Sequence, residues 1–258
     1  MKKSKELLVA IDAAKAGGKV AMKYYGKLKH VKNKGKNHGI VTEADFASQK
    51  KIKAVISKAF ADAEFLAEED SKHLLSETMW VVDPIDGTRN FAKGIPFFAI
   101  SIALSKKGKT VLGVVFNPAT GDLFCGEKGK GAFYNKKKMH VSKVSKLKDA
   151  VFEVGLAGRE RQDKVNLRVF KKILPLGAVS RQFGAASLEL AYVAMGWLDT
   201  YIEYGLFPWD TAAGVLFVEE SKGIVTNEKG KKFNSLEDKM MVSSNGKIHK
   251  QVLREMNR

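Results

Sequence analysis

The chain lacks the features that mark exported and membrane-spanning proteins. Only one of its 258 residues is cysteine, Cys125, so no internal disulfide can form. We expect Cys125 to be a small packing residue in a reducing cytoplasm. No apolar run approaches the roughly 20 residues that span a bilayer. Charged side chains also interrupt the N-terminal stretch where a signal peptide needs an apolar core. These features predict a cytoplasmic protein without membrane contact.

Acidic residues are scarce relative to basic ones. The chain has 45 Lys and Arg against 28 Asp and Glu, which gives a formal charge of +17. Such an excess suits a nucleic-acid-binding protein, or it belongs to a lysine-rich solvated surface. The lysines are spread along the whole chain, and aromatic residues are not interleaved with them as stacking platforms. We favour the surface interpretation, which disfavours nucleic acid as a partner and leaves a surface that attracts small anions.

The first half of the chain predicts two helices followed by short strands. Apolar periodicity indicates a helix over 6–25, and Thr42 is a suitable N-cap for a second one. The polar, glycine-containing stretch 29–39 predicts a mobile loop between them. Strands are predicted at 65–67, 80–82, 97–105 and 111–116, with an antiparallel meander continuing to Val141.

The second half alternates between strand and helix patterns. Strands are predicted at 150–154, 178–179, 198–203 and 224–226, and helices at 162–173, 185–195 and 211–221. Alternation of this kind indicates helices packed on a sheet. We therefore predict an α+β domain over 1–147 and an α/β domain over 148–258.

The most specific local feature is an apolar strand that runs into a turn with two carboxylates. Residues 80–88 read WVVDPIDGT, which places Asp83 and Asp86 three positions apart. Pro84 fixes one backbone angle and Gly87 can adopt a positive φ, so the turn can direct both carboxylates and the Ile85 carbonyl into one pocket. Mg²⁺ prefers such oxygen ligands. The same residues are also typical of an ordinary surface turn that binds no metal.

Three other acidic positions have a functional and a structural interpretation. Glu68 follows the predicted strand 65–67, where it can share a sheet edge with the turn or belong to a solvated charge run. Asp210 precedes a predicted helix and can be its N-cap. Asp45 lies three residues after Thr42, where a capping box places an acidic residue. The five histidines show no metal-ligand spacing and are expected at the surface.

Together these motifs resemble the inositol monophosphatase family of Mg²⁺-dependent phosphatases. The agreement runs along nearly the whole chain and includes the segments VTEAD (41–45), EE (68–69), WVVDPIDGTRNF (80–91), GAA (184–186) and WDTAAG (209–214). The turn motif joined to Trp-Asp at this separation is highly specific. The resemblance implies a layered αβαβα sandwich, a member of the α/β class of the sugar-phosphatase type. It also implies a homodimer.

The resemblance assigns roles in metal binding and catalysis. Two to three Mg²⁺ ions would be bound by Glu68, Asp83, the Ile85 carbonyl, Asp86 and Asp210. Thr88 with Asp45, together with Glu68, would activate the attacking water, while Gly87 and Thr88 would offer backbone N–H groups to the phosphate. Lys34 loosely matches a lysine that the family places near the site.

The resemblance also implies a substrate pocket in the second half. The leaving alcohol would contact Asp86, Gly184, Ala185, Ala186, Glu203 and Asp210. Ala185 departs from the family's usual Ser or Thr, and this departure leaves the substrate's identity open. Arg181 can either meet a phosphate or support the fold.

The expected activity is Mg²⁺-dependent hydrolysis of a small polyol or sugar phosphate. Inositol-1-phosphate is the first candidate substrate and fructose-1,6-bisphosphate the second. An alternative is a phosphatase for 3′-phosphoadenosine or NADP(H)-type nucleotides, although Asn90 stands where the 3′-phosphoadenosine enzymes usually carry an acidic residue. A remote alternative is a basic nucleic-acid-binding protein on a phosphatase scaffold.

Overall fold

The computed structural model describes residues 3–35, 39–70, 76–156 and 158–258. The helices are α1 (Lys5–Ala21), α2 (Glu43–Ala59), α3 (Thr88–Lys93), α4 (Glu160–Ile173), α5 (Ala186–Met195), α6 (Pro208–Glu220) and α7 (His249–Asn257). The strands of the first half are β1 (Val31–Asn33), β2 (Ile40–Thr42), β3 (Phe65–Ala67), β4 (Thr78–Asp86), β5 (Ala99–Lys106), β6 (Lys109–Asn117), β7 (Asp122–Glu127), β8 (Gly131–Tyr134) and β9 (Lys137–Lys138). Those of the second half are β10 (Val151–Val154), β11 (Val179–Arg181), β12 (Thr200–Tyr204), β13 (Ile224–Thr226) and β14 (Met240–Ser244).

The strands form two large sheets and a small hairpin. The first sheet has seven strands in chain order from β3 to β9, antiparallel except for the parallel pair β3–β4. The second has five strands in the order β11-β10-β12-β14-β13, in which β10 runs parallel to both its neighbours. Strands β1 and β2 pair antiparallel, so part of the predicted loop 29–39 is a strand.

Three apolar clusters fill the spaces between five layers, and one of them extends to both sides of α5 and α6. Residues of β4 alternate between two of them: Trp80 packs towards α1 and α2, and Val81 packs towards α5 and α6. Helices α5 and α6 also share a core with Tyr201 of the second sheet, and α4 and α7 cover that sheet's other face. The predicted αβαβα sandwich is confirmed. Helices α5 and α6 belong to the second half of the chain yet pack on the first sheet, so the layers do not by themselves divide the chain into two domains. The division at 147/148 stays a prediction.

Local sequence signals explain where several elements begin. Thr42 caps α2 by accepting a hydrogen bond from the Ala44 N–H at 3.2 Å, as predicted. Helix α1 begins after Ser4 and ends at Ala21, earlier than predicted.

Cys125 is buried, as expected of a packing residue. None of the helices in the described ranges has the length and hydropathy needed to cross a bilayer.

The surface position expected for the histidines is wrong for His249. This side chain is buried and is hydrogen-bonded by Thr226 and Ser244, because α7 packs its first turn against β14. His30 and His140 are exposed. His38 and His73 lie outside the described residues.

Candidate active site

Strand β4 extends further than predicted and carries both carboxylates of the turn motif. Its pairing with β5 is regular up to Asp83, opposite Ser101, and shifts register before Asp86, opposite Ala99. The irregularity is a bulge in which the Asp83 carboxylate accepts the Ile85 N–H at 2.9 Å. Gly87 then adopts a φ of +83°, as predicted. The backbone therefore turns sharply with both aspartates held on its inner side.

Asp210 joins these two carboxylates from the other half of the chain. It is not the N-cap of α6: Phe207 occupies that position, and the Asp210 carboxylate accepts the Phe207 N–H at 2.8 Å from the third helical position. The Ser101 hydroxyl fastens the start of α6 to β5 by donating to the Trp209 carbonyl at 3.2 Å. As a result Asp83, Asp86 and Asp210 each offer a carboxylate oxygen within 4.8 Å of the others.

Burial and mutual repulsion raise the pKa of each of these carboxyl groups. Burial is the largest cause for all three, followed by the charge of Glu68 for Asp83 and that of Asp210 for Asp86. The pKa of Asp86 rises to about 8 and that of Asp210 to about 7. Buried carboxylates at this spacing need a counter-charge or protons, and a divalent cation supplies that charge with ligands it prefers. The donor set therefore fits Mg²⁺.

Glu68 lies beside this group at the end of β3, where its N–H bonds the Val82 carbonyl of β4 at 3.1 Å. The ammonium of Lys34 bridges the carboxylates of Glu68 at 2.9 Å and Glu69 at 2.5 Å. Burial lowers the pKa of Lys34, but the charge of Glu68 and hydrogen bonds to both glutamates raise it above its usual value. Lys34 is thus a cation held at the edge of the acidic group. Glu69 does not line the cleft in the part of the chain that the structure describes.

Asp45 has its predicted place in the capping box and also lies near Thr88. It completes the capping box of α2 by accepting the Thr42 N–H at 2.8 Å, while its other oxygen lies 3.4 Å from the Thr88 hydroxyl. That hydroxyl also donates to the Ile85 carbonyl at 2.9 Å. Burial, opposed by the hydrogen bonds from Thr42, raises the pKa of Asp45 to about 7. A carboxyl group with this pKa can accept a proton near neutral pH.

Most of these groups line one cleft with a volume of about 390 Å³, whereas Lys34 and Asp45 lie beside it. The predicted site residues that border it are Glu68, Asp83, Ile85, Asp86, Gly87, Thr88, Gly184, Ala185, Ala186, Glu203 and Asp210. Close packing joins the two halves here, since a Cβ on Gly87 would lie 3.0 Å from the Ala185 Cβ. Arg181 is not brought to the cleft: it is exposed, and its guanidinium donates to the Ser180 carbonyl at 2.8 Å.

Several residues at the site were not predicted. Glu153, Glu189, Arg89 and Arg159 line the cleft, and Ser187 binds Asp86. Arg89 directly follows the turn motif, so its position could have been inferred. A glutamate inside the apolar stretch 150–154 was a further signal, because a charged residue in a buried strand needs a reason. Glu189 and Arg159 carry no local signal of this kind.

Comparisons with known proteins identify the family. The model of the inositol monophosphatase family matches residues 2–258. The inositol-1-monophosphatase of Mesorhizobium japonicum is 36% identical over 263 residues, covering 98% of this chain and 97% of that one. The fructose-1,6-bisphosphatase/inositol-1-monophosphatase of Thermotoga maritima is 36% identical, covering 93% and 91%.

A solved structure shows the same fold over the whole chain. The extragenic suppressor protein suhB from Bartonella henselae superposes with a TM-score of 0.92 at 36% identity, and the match covers 99% of each chain. Members of this family are metal-dependent, and the cluster of Asp83, Asp86 and Asp210 agrees with that property. The chain belongs to the inositol monophosphatase family and is a phosphoric monoester hydrolase.

Proposed function

We propose that this protein hydrolyses the phosphate monoester of a small polyol, with inositol-1-phosphate as the first substrate and two to three Mg²⁺ ions as cofactor. One observation carries the proposal: carboxylates of Asp83, Asp86 and Asp210 meet within 4.8 Å in the cleft that also contains Thr88. Glu68, Asp83, the Ile85 carbonyl, Asp86 and Asp210 would hold the ions. Bound Mg²⁺ neutralises these carboxylates, lowers the pKa of water and stabilises charge on the leaving oxygen.

Thr88 and Asp45 form the path for the proton of the attacking water. The water passes a proton to the Thr88 oxygen while the Thr88 hydroxyl passes its own proton to Asp45. The Thr88 hydroxyl is 3.4 Å from Asp45 and 2.9 Å from the Ile85 carbonyl, and one O–H donates to one acceptor at a time. Asp45 therefore receives this hydrogen bond when the Ile85 carbonyl is engaged elsewhere. Thr88 then orients the water with its lone pairs, and the proton passes to Asp45, whose pKa of about 7 suits a general base.

The other wall of the cleft is suited to hydroxyl groups. Glu203 is buried at this wall and accepts a hydrogen bond from the Tyr201 hydroxyl. Gly184, Ala185 and Ala186 form the adjoining segment. A buried carboxylate and backbone acceptors at this wall favour a leaving group with hydroxyls, such as a polyol, over an aryl or alkyl one. Because Ala185 has no hydroxyl, specificity among polyols rests more on Glu203.

Two guanidinium groups at the cleft favour acceptance of a second phosphate. Arg89 and Arg159 both line it, and Arg159 stacks 5.6 Å from the centre of the Phe207 ring. Arginine binds phosphate oxygens through paired N–H groups. This arrangement supports fructose-1,6-bisphosphate as an additional substrate, and the name of the Thermotoga maritima relative couples the same two activities.

A substrate panel tests the proposal. Phosphate release would be measured with inositol-1-phosphate, fructose-1,6-bisphosphate and 3′-phosphoadenosine phosphate at equal concentration, each with Mg²⁺ and with a chelator. We expect Mg²⁺-dependent release from inositol-1-phosphate, and release from the bisphosphate that falls about tenfold in Arg159→Met. Inositol-1-phosphate turnover would stay within about twofold in that variant. Preference for the nucleotide would refute the polyol assignment.

Three further expectations stay predictions. They are the homodimer, the cytoplasmic location and the absence of a nucleic-acid partner. Size-exclusion chromatography with light scattering tests the first. For the last, an affinity for nucleic acid that falls steeply with salt would contradict the expectation.

A further inference from the structure

A second group of acidic side chains lies in the cleft, apart from the aspartates that would hold metal. Glu153 comes from β10, Glu189 from α5 and Glu203 from β12, and their exposed fractions are 1%, 2% and 6%. Three buried glutamates cannot all remain charged without cations or protons. Among the described residues, Glu153 and Glu189 form no ion pair that would neutralise them.

The two oxygens of Glu153 have different surroundings. Oε1 accepts the Phe183 N–H at 2.9 Å. Oε2 is fully buried and has no donor in the described part of the chain, while the Glu189 carboxylate bonds the next N–H of the same segment, that of Gly184. Two carboxylates cannot bond each other, whereas a carboxylic acid donates to a carboxylate. An unpaired buried oxygen beside an acceptor is therefore the position of a proton.

Glu189 is the acceptor of the pair. Its Oε1 receives the N–H of Gly184 at 2.5 Å and that of Ala185 at 3.2 Å. Both N–H groups donate to this one oxygen, so Glu189 acts as a hydrogen-bond acceptor in the pair. Burial, then the charge of Glu189, raises the pKa of Glu153 to about 11, in agreement with a proton on Glu153.

We propose that Glu153 and Glu189 are a carboxylic acid–carboxylate pair that positions the segment 183–185. This segment forms the wall of the cleft that contacts the leaving alcohol and sets specificity for it. The pair bonds three consecutive backbone N–H groups, those of Phe183, Gly184 and Ala185. The inference rests on the phosphatase function proposed above. It makes the two glutamates positioning residues, because they act through the backbone of this segment.

Other contacts hold the carbonyls and the Phe183 ring of this segment, which stacks 5.0 Å from the Phe97 ring, whereas the two glutamates hold its N–H groups. Gly184 adopts a φ of +82°, a backbone conformation that glycine reaches because it has no side chain. Ala185 has no polar side chain that could anchor the segment. The Asn90 amide adds two contacts by donating to the Phe183 carbonyl at 2.7 Å and to the Gly184 carbonyl at 3.5 Å. The Ala185 Cβ, in turn, packs towards Gly87 of the metal turn. A shift of this wall would alter the room left for the alcohol.

Kinetics with two leaving groups test the positioning role. In Glu153→Leu we expect kcat/KM for inositol-1-phosphate to fall about tenfold or more, mainly through KM. Hydrolysis of 4-nitrophenyl phosphate, whose leaving group has no hydroxyls to read, would stay within about threefold. Glu153→Gln is the matched control: its amide replaces the acid's donor and acceptor, so both rates would remain within about twofold of wild type. Equal losses for both substrates, or a Gln variant as impaired as the Leu variant, would overturn the proposal.

Infrared spectroscopy tests the proton directly. The Mg²⁺-loaded wild type at about pH 9 should show the C=O stretch of a protonated carboxyl group, and Glu153→Gln should lose it. Absence of this band would overturn the proposal. If Glu153→Leu does not fold, the Gln variant and the spectrum decide the outcome. A wild type that releases no phosphate from either substrate would refute the phosphatase function, whereas the spectrum tests the carboxyl pair independently of turnover.

Discussion

Ser187 donates two hydrogen bonds to the same oxygen of Asp86, from its backbone N–H at 2.7 Å and from its hydroxyl at 2.5 Å. The two residues are 101 positions apart and belong to the first turn of α5 and the end of β4. Both bonds lower the pKa of Asp86 and so oppose the burial that raises it. The contact thus keeps a carboxylate in its metal-binding form while joining the two halves of the cleft.

Removing the Ser187 hydroxyl should therefore weaken metal binding. In Ser187→Ala, Asp86 loses one donor to its charged form, and we expect the Mg²⁺ concentration for half-maximal activity to rise roughly three- to tenfold. The maximal rate at saturating Mg²⁺ should change less. Ser145→Ala, at an exposed serine, is the control and should leave the Mg²⁺ requirement unchanged. An unaltered requirement in Ser187→Ala would show that this contact does not tune the site.

Loss of the Thr88 hydroxyl should slow turnover without weakening binding. Thr88→Val removes the hydroxyl that would link the water to Asp45, and we expect kcat to fall about a hundredfold or more with KM nearly unchanged. Thr88→Ser keeps the hydroxyl and should retain most of the activity. Steady-state kinetics at saturating Mg²⁺ distinguish these outcomes. Equal activity of the Val and Ser variants would exclude Thr88 from the proton path.

The metal-free protein should become more stable as the pH falls from about 9 to about 6. Asp86 and Asp210 have folded pKa values of about 8 and about 7, above the ordinary aspartate pKa of 3.8. The folded state therefore binds protons before the unfolded state does, and each proton relieves repulsion in the cleft. We expect the Tm in chelator to rise over this interval, and Mg²⁺ to raise the Tm most at the alkaline end.

An asparagine variant provides the control for this pH dependence. Asp210→Asn removes one of the repelling charges and should flatten the Tm profile of the metal-free protein. Differential scanning calorimetry of both proteins, with and without Mg²⁺, measures the difference. A Tm of the metal-free wild type that increased towards alkaline pH would contradict the assignment of raised pKa values to these carboxyls.

Local patterns predicted the elements that carry the metal turn. Strand β4, the capping box at Thr42 and the left-handed Gly87 follow from short-range rules of periodicity, capping and backbone freedom. Strand β14 and helix α7 were missed. Strand β14 includes two consecutive buried serines, and its place between β12 and β13 depends on tertiary pairing that a local sequence pattern does not predict.

The residues of the candidate site that belong to one sequence motif could be predicted. Those that come together only through tertiary packing could not. Resemblance pointed to Asp83, Asp86 and Asp210, and the structure brings them together. The interpretation of Asp210 as an N-cap was wrong because Phe207 is the N-cap and α6 begins at Pro208. Glu189 could not be inferred, since its partners Glu153 and Gly184 lie together only after β10 and α5 have packed. Tertiary contacts, not spacing, create that pair.

Mg²⁺-dependent phosphate release by two aspartate variants tests the central claim most directly. With inositol-1-phosphate as substrate, Asp83→Asn and Asp210→Asn should each lose activity by about a thousandfold, because each removes a charge from the site that holds the ions. Asp62→Asn, at an exposed position away from the cleft, should remain as active as wild type. Near wild-type, Mg²⁺-dependent activity in both cleft variants would contradict the account.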